Sequence, residues 1–432
     1  MITSKKNYEH ILLYCIFVTF VFLFYRLSGN IIIWYFGVVA LIAAVFFFGL
    51  ENFLLMALFL FPNENIFKQI GLASSTLSYI YLAVSLLYVL SALIKTKKID
   101  LFIVLFSVLH FLDILVCGLR INNFDLISPY IRFILFVLSF YLFFQFNINK
   151  QALIDFFVFG VGIAILTGII YHSINGTIFN GYFGGISGDR NYFNAIVSIC
   201  ISLCVLYIIN SDRLNGKEKI LYLIVLFLCI LSVILSQSRT CYIAFIFPLL
   251  CIIIHLFNSK KVLHGISILV VLSVFAFIIV YFFRDTFTGL IERMNQDDLY
   301  DGNGRFEIWT YYMTEWLHSG FLGLIVGLGS SNLIYNAGIY ANFTHNTVVE
   351  YLYATGLLGS ISIFLVIMCV YKIIVGHQKK IKFVSLIPLL NLIFCYLGID
   401  ALYSNALMIG LIVCFICVAQ FSTEKKKFIS KV

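Results

Sequence analysis

The sequence predicts an all-α, polytopic integral membrane protein of about fourteen transmembrane helices with one large outer loop. Three features carry that expectation. Of the 432 residues, 62% are hydrophobic and only 11% charged, and the mean hydropathy is +1.04; so few charges cannot cover that much apolar surface in water. Apolar runs recur from residue 11 to residue 421, many near the roughly 20 residues a helix needs to cross hydrocarbon. The runs are continuous rather than alternating, and lipid admits only helices or closed barrels, so helices are expected.

The first run, 11–25, follows Lys5 and Lys6 and imitates a secretory signal. No small-residue cleavage site follows it, so it reads as the first span. Runs at 31–48, 53–61, 74–94, 101–117, 131–146 and 153–171 come next. The third is short, but merging it with the second would leave an odd number of crossings. After a polar excursion at 172–191 follow 193–209, 221–235, 241–256 and 262–282; after a second, 284–345, follow 348–371, 383–397 and 402–421. The chain thus divides into residues 1–283 (helices 1–11), 284–345 (the large loop, with an interfacial helix) and 346–432 (helices 12–14 and a tail).

The charges orient these spans. With the N-terminus in the cytoplasm, the inner segments hold 19 of the 28 cationic residues, 18 of them lysine, in short loops and the tail. That is the positive-inside pattern, with both termini cytoplasmic. The net charge of +8 is therefore a topology signal, and nucleic acid is excluded as a partner. Outside remain Lys68 and eight arginines: Arg26, Arg120, Arg132, Arg190, Arg239, Arg284, Arg293 and Arg305. Orientation alone needs no such change of residue type. A guanidinium fork grips phosphate through two oxygens, which an ammonium does not. As a set these arginines point to phosphate; singly, each also fits a headgroup-depth or acid-paired role.

Four segments carry the candidate chemistry. Glycines at 184, 185 and 188 precede Asp189-Arg190-Asn191, either a plain turn or backbone N–H groups plus Arg190 facing an anion at a helix start. Gln237-Ser238-Arg239-Thr240 interrupts an apolar stretch, and an arginine at that depth marks function or a buried partner. Asn303-Gly304-Arg305 opens an amphipathic stretch with Trp309, Tyr311 and Tyr312 suited to headgroup depth; Arg305 faces phosphate or pairs with Glu307 or Asp301. A Gly-rich segment, 320–329, follows. Thr344-His345-Asn346 then leads into the span containing Glu350, and His345 has the pKa range to take a proton from a sugar hydroxyl. The competing reading is an interfacial histidine capped by its neighbours. His172 and His318 lack that context.

Cys414 and Cys417 form C-x-x-C in an apolar span without polar partners and read as packing. No zinc spacing occurs, and Asp297, Asp298 and Asp301 fit no cation-loop pattern, so no cofactor or metal is expected.

Taken in order, Asp189-Arg190-Asn191, Ser238-Arg239, Gly304-Arg305-x-x-x-Trp309, Gly327-Leu-Gly329, His345-Asn346, Glu350 and Gly356 resemble the O-antigen polymerase and O-antigen ligase family of bacterial envelope proteins. The resemblance implies a GT-C-like helical bundle in the bacterial inner membrane and a metal-independent glycosyltransferase acting on its periplasmic face. Donor and acceptor would be oligosaccharides on undecaprenyl pyrophosphate, with a flippase and a chain-length regulator left open as partners. It places pyrophosphate binding on Arg239 and Arg305, more weakly on Arg190, and the base on His345. Fourteen spans exceed the twelve usual for ligases and favour a polymerase. The alternatives are a ligase acting on lipid A-core, and a lipid-linked sugar transporter. His110 and Asp113, one turn apart in a span, suit proton coupling, but internal repeats and paired broken helices are not apparent.

Overall fold

The computed structural model describes residues 5–70, 75–95, 99–145, 149–178, 183–186, 189–209, 216–237, 239–258, 305–329, 345–376, 381–399 and 405–422, and isolated positions from 263 to 281. The chain is all-α, and the only β-feature among these residues is a single bridge, Lys68 to Ser75. The helices are α1 (Lys5–Ser28), α2 (Ile31–Leu60, continued by a 3-10 segment Phe61–Phe67), α3 (Thr76–Ile94), α4 (Leu101–Ile121), α5 (Ile127–Phe143), α6 (Lys150–Ile174) and α7 (Arg190–Ile209). After them come α8 (Gly216–Ser236), α9 (Arg239–Asn258), α10 (Arg305–His318), α11 (Gly320–Val326), α12 (Thr347–Val375), α13 (Phe383–Tyr396) and α14 (Asn405–Ser422). Eight candidate membrane spans among the described residues are long and apolar enough to cross a bilayer. Each expected run falls on a helix except 262–282, which lies mostly outside the described residues.

Helix starts follow local chemistry. The side-chain oxygens of Asn30, Asp100, Asn149 and Asn346 each accept the backbone N–H two residues on, at 2.9, 2.9, 3.1 and 2.9 Å. Each such cap satisfies a donor that the helix leaves open and contributes about 1 kcal/mol.

The short third run is a real return leg. The backbone of α2 breaks at Gly49 (φ 80°, ψ 166°), about 27 Å from Ile31 at 1.5 Å per residue. Beyond the break every residue from 53 to 61 is buried, as an all-apolar helix should be when packed on all sides. The chain then comes back beside its start: Arg26 donates to the Lys68 carbonyl (3.4 Å), and the Ile70 N–H donates to the Tyr25 hydroxyl (2.8 Å). Gly160 on α6 makes room for this leg, since a Cβ there would stand 2.4 Å from the Phe59 carbonyl oxygen.

The two ends of the bundle differ as the charges require. At one, Lys150 donates to the Ile374 carbonyl (3.4 Å) and the Asp100 N–H meets the Tyr141 hydroxyl (3.2 Å). Arg26, Arg120 and Arg305 lie at the other. Between them runs one large apolar core, joined by α1–α9 and α12–α14.

A second helix, α12, is broken at Gly356 (φ 59°, ψ −163°). Among the described residues, α2 and α12 are broken at a glycine where no break was apparent in the sequence, because a glycine within an apolar run looks the same whether it packs or bends.

Candidate active site

The arginine end gathers the starts of four helices. At α7, the Asp189 carboxylate accepts the N–H groups of Asn191 (2.7 Å) and Tyr192 (3.3 Å), setting Arg190 as the first helical residue. Asn194, one turn on, donates to the Arg190 carbonyl (2.7 Å) and accepts from Ser232 of α8 (3.1 Å). The preceding loop folds inward, with Phe183 and Ile186 buried.

Arg305 opens α10, and its Nη1 donates to the Gly398 carbonyl in the turn after α13 (3.2 Å). The hydroxyl of Thr347, the first residue of α12, donates to the next carbonyl, Ile399 (2.8 Å). One turn therefore anchors both helix starts. Asn346 caps α12 by accepting the N–H groups of Val348 and Val349 (2.9 and 3.2 Å).

His345 immediately precedes that cap, half-buried and in the left-handed region at φ 52°. Gln237, beside the Arg239 helix, has φ 47°. Outside glycine such backbone is uncommon and is found at sites where surroundings over-determine the chain. Burial and then the Arg305 charge hold the His345 imidazole below its usual pKa, while the Asp189 carboxylate opposes them. Asp189, Arg305 and His345, from three distant segments, thus share one electrostatic neighbourhood. A lowered pKa keeps the ring neutral and able to accept a proton.

Arg239 is the first residue of α9, which begins just past the end of α8, where Ser232 meets Asn194 near the start of α7, so α9 starts at the same end. Its side chain is not among those described, and Ser238 and Gly304 lie outside the described residues. Arg190, Arg239 and Arg305 each stand at a helix N-terminus, where the dipole favours an anion. Among the described residues, no three His, Cys, Asp or Glu side chains gather to hold a metal ion; Asp297, Asp298 and Asp301 lie outside them.

The Gly-rich segment does more than link. α11 inserts beside α4 and α12, and the Leu328 and Gly329 N–H groups donate to the Tyr353 and Ala354 carbonyls (2.7 and 3.1 Å), which the break at Gly356 releases from helical bonding. The fit excludes side chains: a Cβ on Gly327 would meet the Ala354 carbonyl oxygen at 2.5 Å, and one on Gly356 the Ile325 oxygen at 2.4 Å. Arg120 closes the joint by donating to the Gly327 carbonyl (3.2 Å).

This narrows the phosphate reading of the outer arginines. Arg26 and Arg120 bind main-chain carbonyls, as Arg305 also does through one nitrogen, a role as suited to guanidinium as phosphate is; what sets Arg305 apart is its charge acting on His345. The headgroup reading of the aromatic residues narrows too, since Tyr312 and Trp316 are buried against Val349 and Tyr353, docking α10 onto the first turns of α12. His172 bonds Thr177 and the Gly185 carbonyl through both ring nitrogens (2.7 and 2.8 Å), and His318 bonds the Thr314 carbonyl of its own helix (2.8 Å). Sequence reasoning had no signal for the carbonyls of Gly398 and Ile399. The helical cap and charge of Asp189 were open to it, in the Asp-x-x pattern before an apolar run.

The sequence profile of a family described as O-antigen ligase matches residues 224–364. That span holds Arg239, Arg305, His345 and both glycines of the α11–α12 joint; Asp189 and Arg190 lie before it. No curated protein matches the chain.

Proposed function

We propose that the chain, whose residues 224–364 match the profile of a family described as O-antigen ligase, is a polymerase that extends a lipid-linked glycan at the outer face of the membrane. The family supports a glycosyltransferase-like activity on lipid-linked glycans; the polymerase, the undecaprenyl pyrophosphate donor and metal independence are our reading.

The reading is supported by the 398–399 turn, which holds both Arg305 and the start of α12 beside His345 at the arginine end, where the Asp189 charge also acts. The donor pyrophosphate lies against Arg305, Arg239 and Arg190 at the helix starts. His345 takes the proton of the acceptor hydroxyl, whose oxygen bonds to the anomeric carbon. The bond from that carbon to the pyrophosphate breaks, its electron pair staying on the leaving oxygen. Charge grows on the pyrophosphate as the bond stretches, so fixed guanidinium groups and helix dipoles stabilise the transition state more than the ground state. Donor binding also places negative charge beside His345 and offsets Arg305, which raises the basicity of the imidazole when it is needed.

Fourteen apolar runs, against the twelve usual for ligases, favour the polymerase. Broken helices also occur in transporters, but the carbonyls freed at Gly356 are bonded by Leu328 and Gly329, which makes that break a seat for the loop. Purified protein given lipid-linked repeat units alone, with and without chelator, tests the reading. Chain growth in both conditions is expected. Transfer only to added lipid A-core would make the chain a ligase, and loss of growth with chelator would end the metal-independent mechanism.

A further inference from the structure

The face of α4 toward α12 contains an acid that the reaction does not use. Ser107, His110, Asp113 and Cys117 recur on α4 at helical spacing, and α12 opposes them with Thr355, Gly356, Gly359 and Ser362. The approach is close: a Cβ on Gly359 would stand 2.3 Å from Asp113 Oδ2 and 2.7 Å from Thr355 Oγ1. Asp113 is 1% exposed, and neither carboxylate oxygen meets a hydrogen-bond partner among the described residues.

Its neighbours have partners elsewhere. The His110 Nδ1 donates to the Gly359 carbonyl (2.9 Å), and its ring lies 4.9 Å from that of Tyr130 on α5, whose hydroxyl bonds the Ser107 carbonyl. Cys117 donates to the Ala354 carbonyl (3.7 Å) and Arg120 to that of Gly327 (3.2 Å). The Thr355 hydroxyl donates to the Tyr351 carbonyl (2.9 Å), which leaves its oxygen able to accept. From α12, Glu350 and Tyr353 stand nearer the helix start, before the break, and α11 brings no titratable group.

A bare carboxylate within a bilayer is among the costliest groups a protein can hold, and such residues are retained for ions or protons. One carboxylate requires one positive charge. Divalent calcium takes six to eight oxygens, typically with several carboxylates, and among the described residues no three His, Cys, Asp or Glu side chains gather to hold a metal ion. We propose that Asp113, with the Thr355 hydroxyl beside it, is a binding site for a monovalent cation, a proton or a sodium ion, facing Gly359 three residues past the break at Gly356. The bound cation neutralises the seam on which α4 and the broken α12 close, and so links its availability to the helix that begins beside His345.

The test uses the full-length protein in lipid nanodiscs, as wild type and Asp113→Asn, in sodium and in choline buffers. If the cation is a proton, infrared spectra show the carbonyl stretch of a neutral carboxylic acid in both buffers, and Asp113→Asn removes it. If it is sodium, that band is missing, and the melting temperature rises with sodium chloride but not choline chloride, a rise that Asp113→Asn abolishes. Neither a carboxylic-acid band nor a sodium-dependent rise overturns the site. Should Asp113→Asn not fold, Thr355→Val serves: it shifts the band or weakens sodium binding about tenfold, and no change in either overturns the proposal. Neither readout involves glycan transfer, so this site and the proposed reaction fail separately.

Discussion

Arg305 links the helix anchor, the anion site and the base, so exchanging it separates the three. One guanidinium nitrogen holds the Gly398 carbonyl at 3.2 Å, and the charge acts on His345; in the proposed reaction the same guanidinium also meets the donor pyrophosphate. In Arg305→Lys a single ammonium must serve both ends and loses one of them. A hydrogen bond involving a charged group is worth about 1.5–3 kcal/mol, so kcat/KM should fall by about 10- to 150-fold at about 1.4 kcal/mol per tenfold. Arg305→Gln removes the charge as well and should fall further. The pH profile then tells base from anchor. His345 accepts a proton only when neutral, so rate is lost as pH drops through its pKa. Burial and Arg305 hold that pKa down; without the charge it rises. The acid limb of kcat/KM, which reports the free enzyme, should therefore move to higher pH in Arg305→Gln and stay in place in Arg305→Lys. Initial rates of chain transfer by purified protein across pH measure both effects. A lysine variant within about threefold of wild type, or a glutamine variant whose acid limb does not move, would refute the arrangement.

Asp189 should act with the opposite sign. Asp189→Asn keeps a capping oxygen for α7 but removes the charge that raises the His345 pKa, so the acid limb moves to lower pH; Asp189→Ala also loses the cap, at about 0.5–2 kcal/mol of stability. Gly356→Ala places a Cβ 2.4 Å from the Ile325 carbonyl oxygen at a positive φ, and should cost at least about 2 kcal/mol, seen as earlier thermal aggregation in detergent; an unchanged aggregation temperature would contradict the α11–α12 joint. Arg120→Lys keeps a donor for the Gly327 carbonyl and should retain activity within about threefold, whereas a large rise in donor KM would make Arg120 a phosphate ligand after all.

Much of this was legible because the physics is one-dimensional. Continuous apolar runs mark helices, lysines mark one end of the bundle, and helix-capping Asn and Asp residues precede the helices they start. Even the 53–61 return leg was readable from charge parity. The breaks were not, since as letters Gly49 and Gly356 are the same as a packing glycine such as Gly160, and only their positive φ sets them apart. Main-chain acceptors were invisible for a simpler reason. The carbonyls of Lys68, Gly327 and Gly398 correspond to no letter, so the main-chain anchoring of Arg26, Arg120 and Arg305 could not be read from the sequence. His345 stood out by its place at a span mouth, but its coupling to Asp189 depends on tertiary folding.

The most direct test of the account is the rate of His345→Gly. Because His345 holds φ 52°, glycine fits the backbone at least as well, so a lost rate reports chemistry and not misfolding. The rate should fall roughly 10²–10⁴-fold and be partly restored by added imidazole. Near-normal chain transfer from a well-folded His345→Gly protein without imidazole would contradict it.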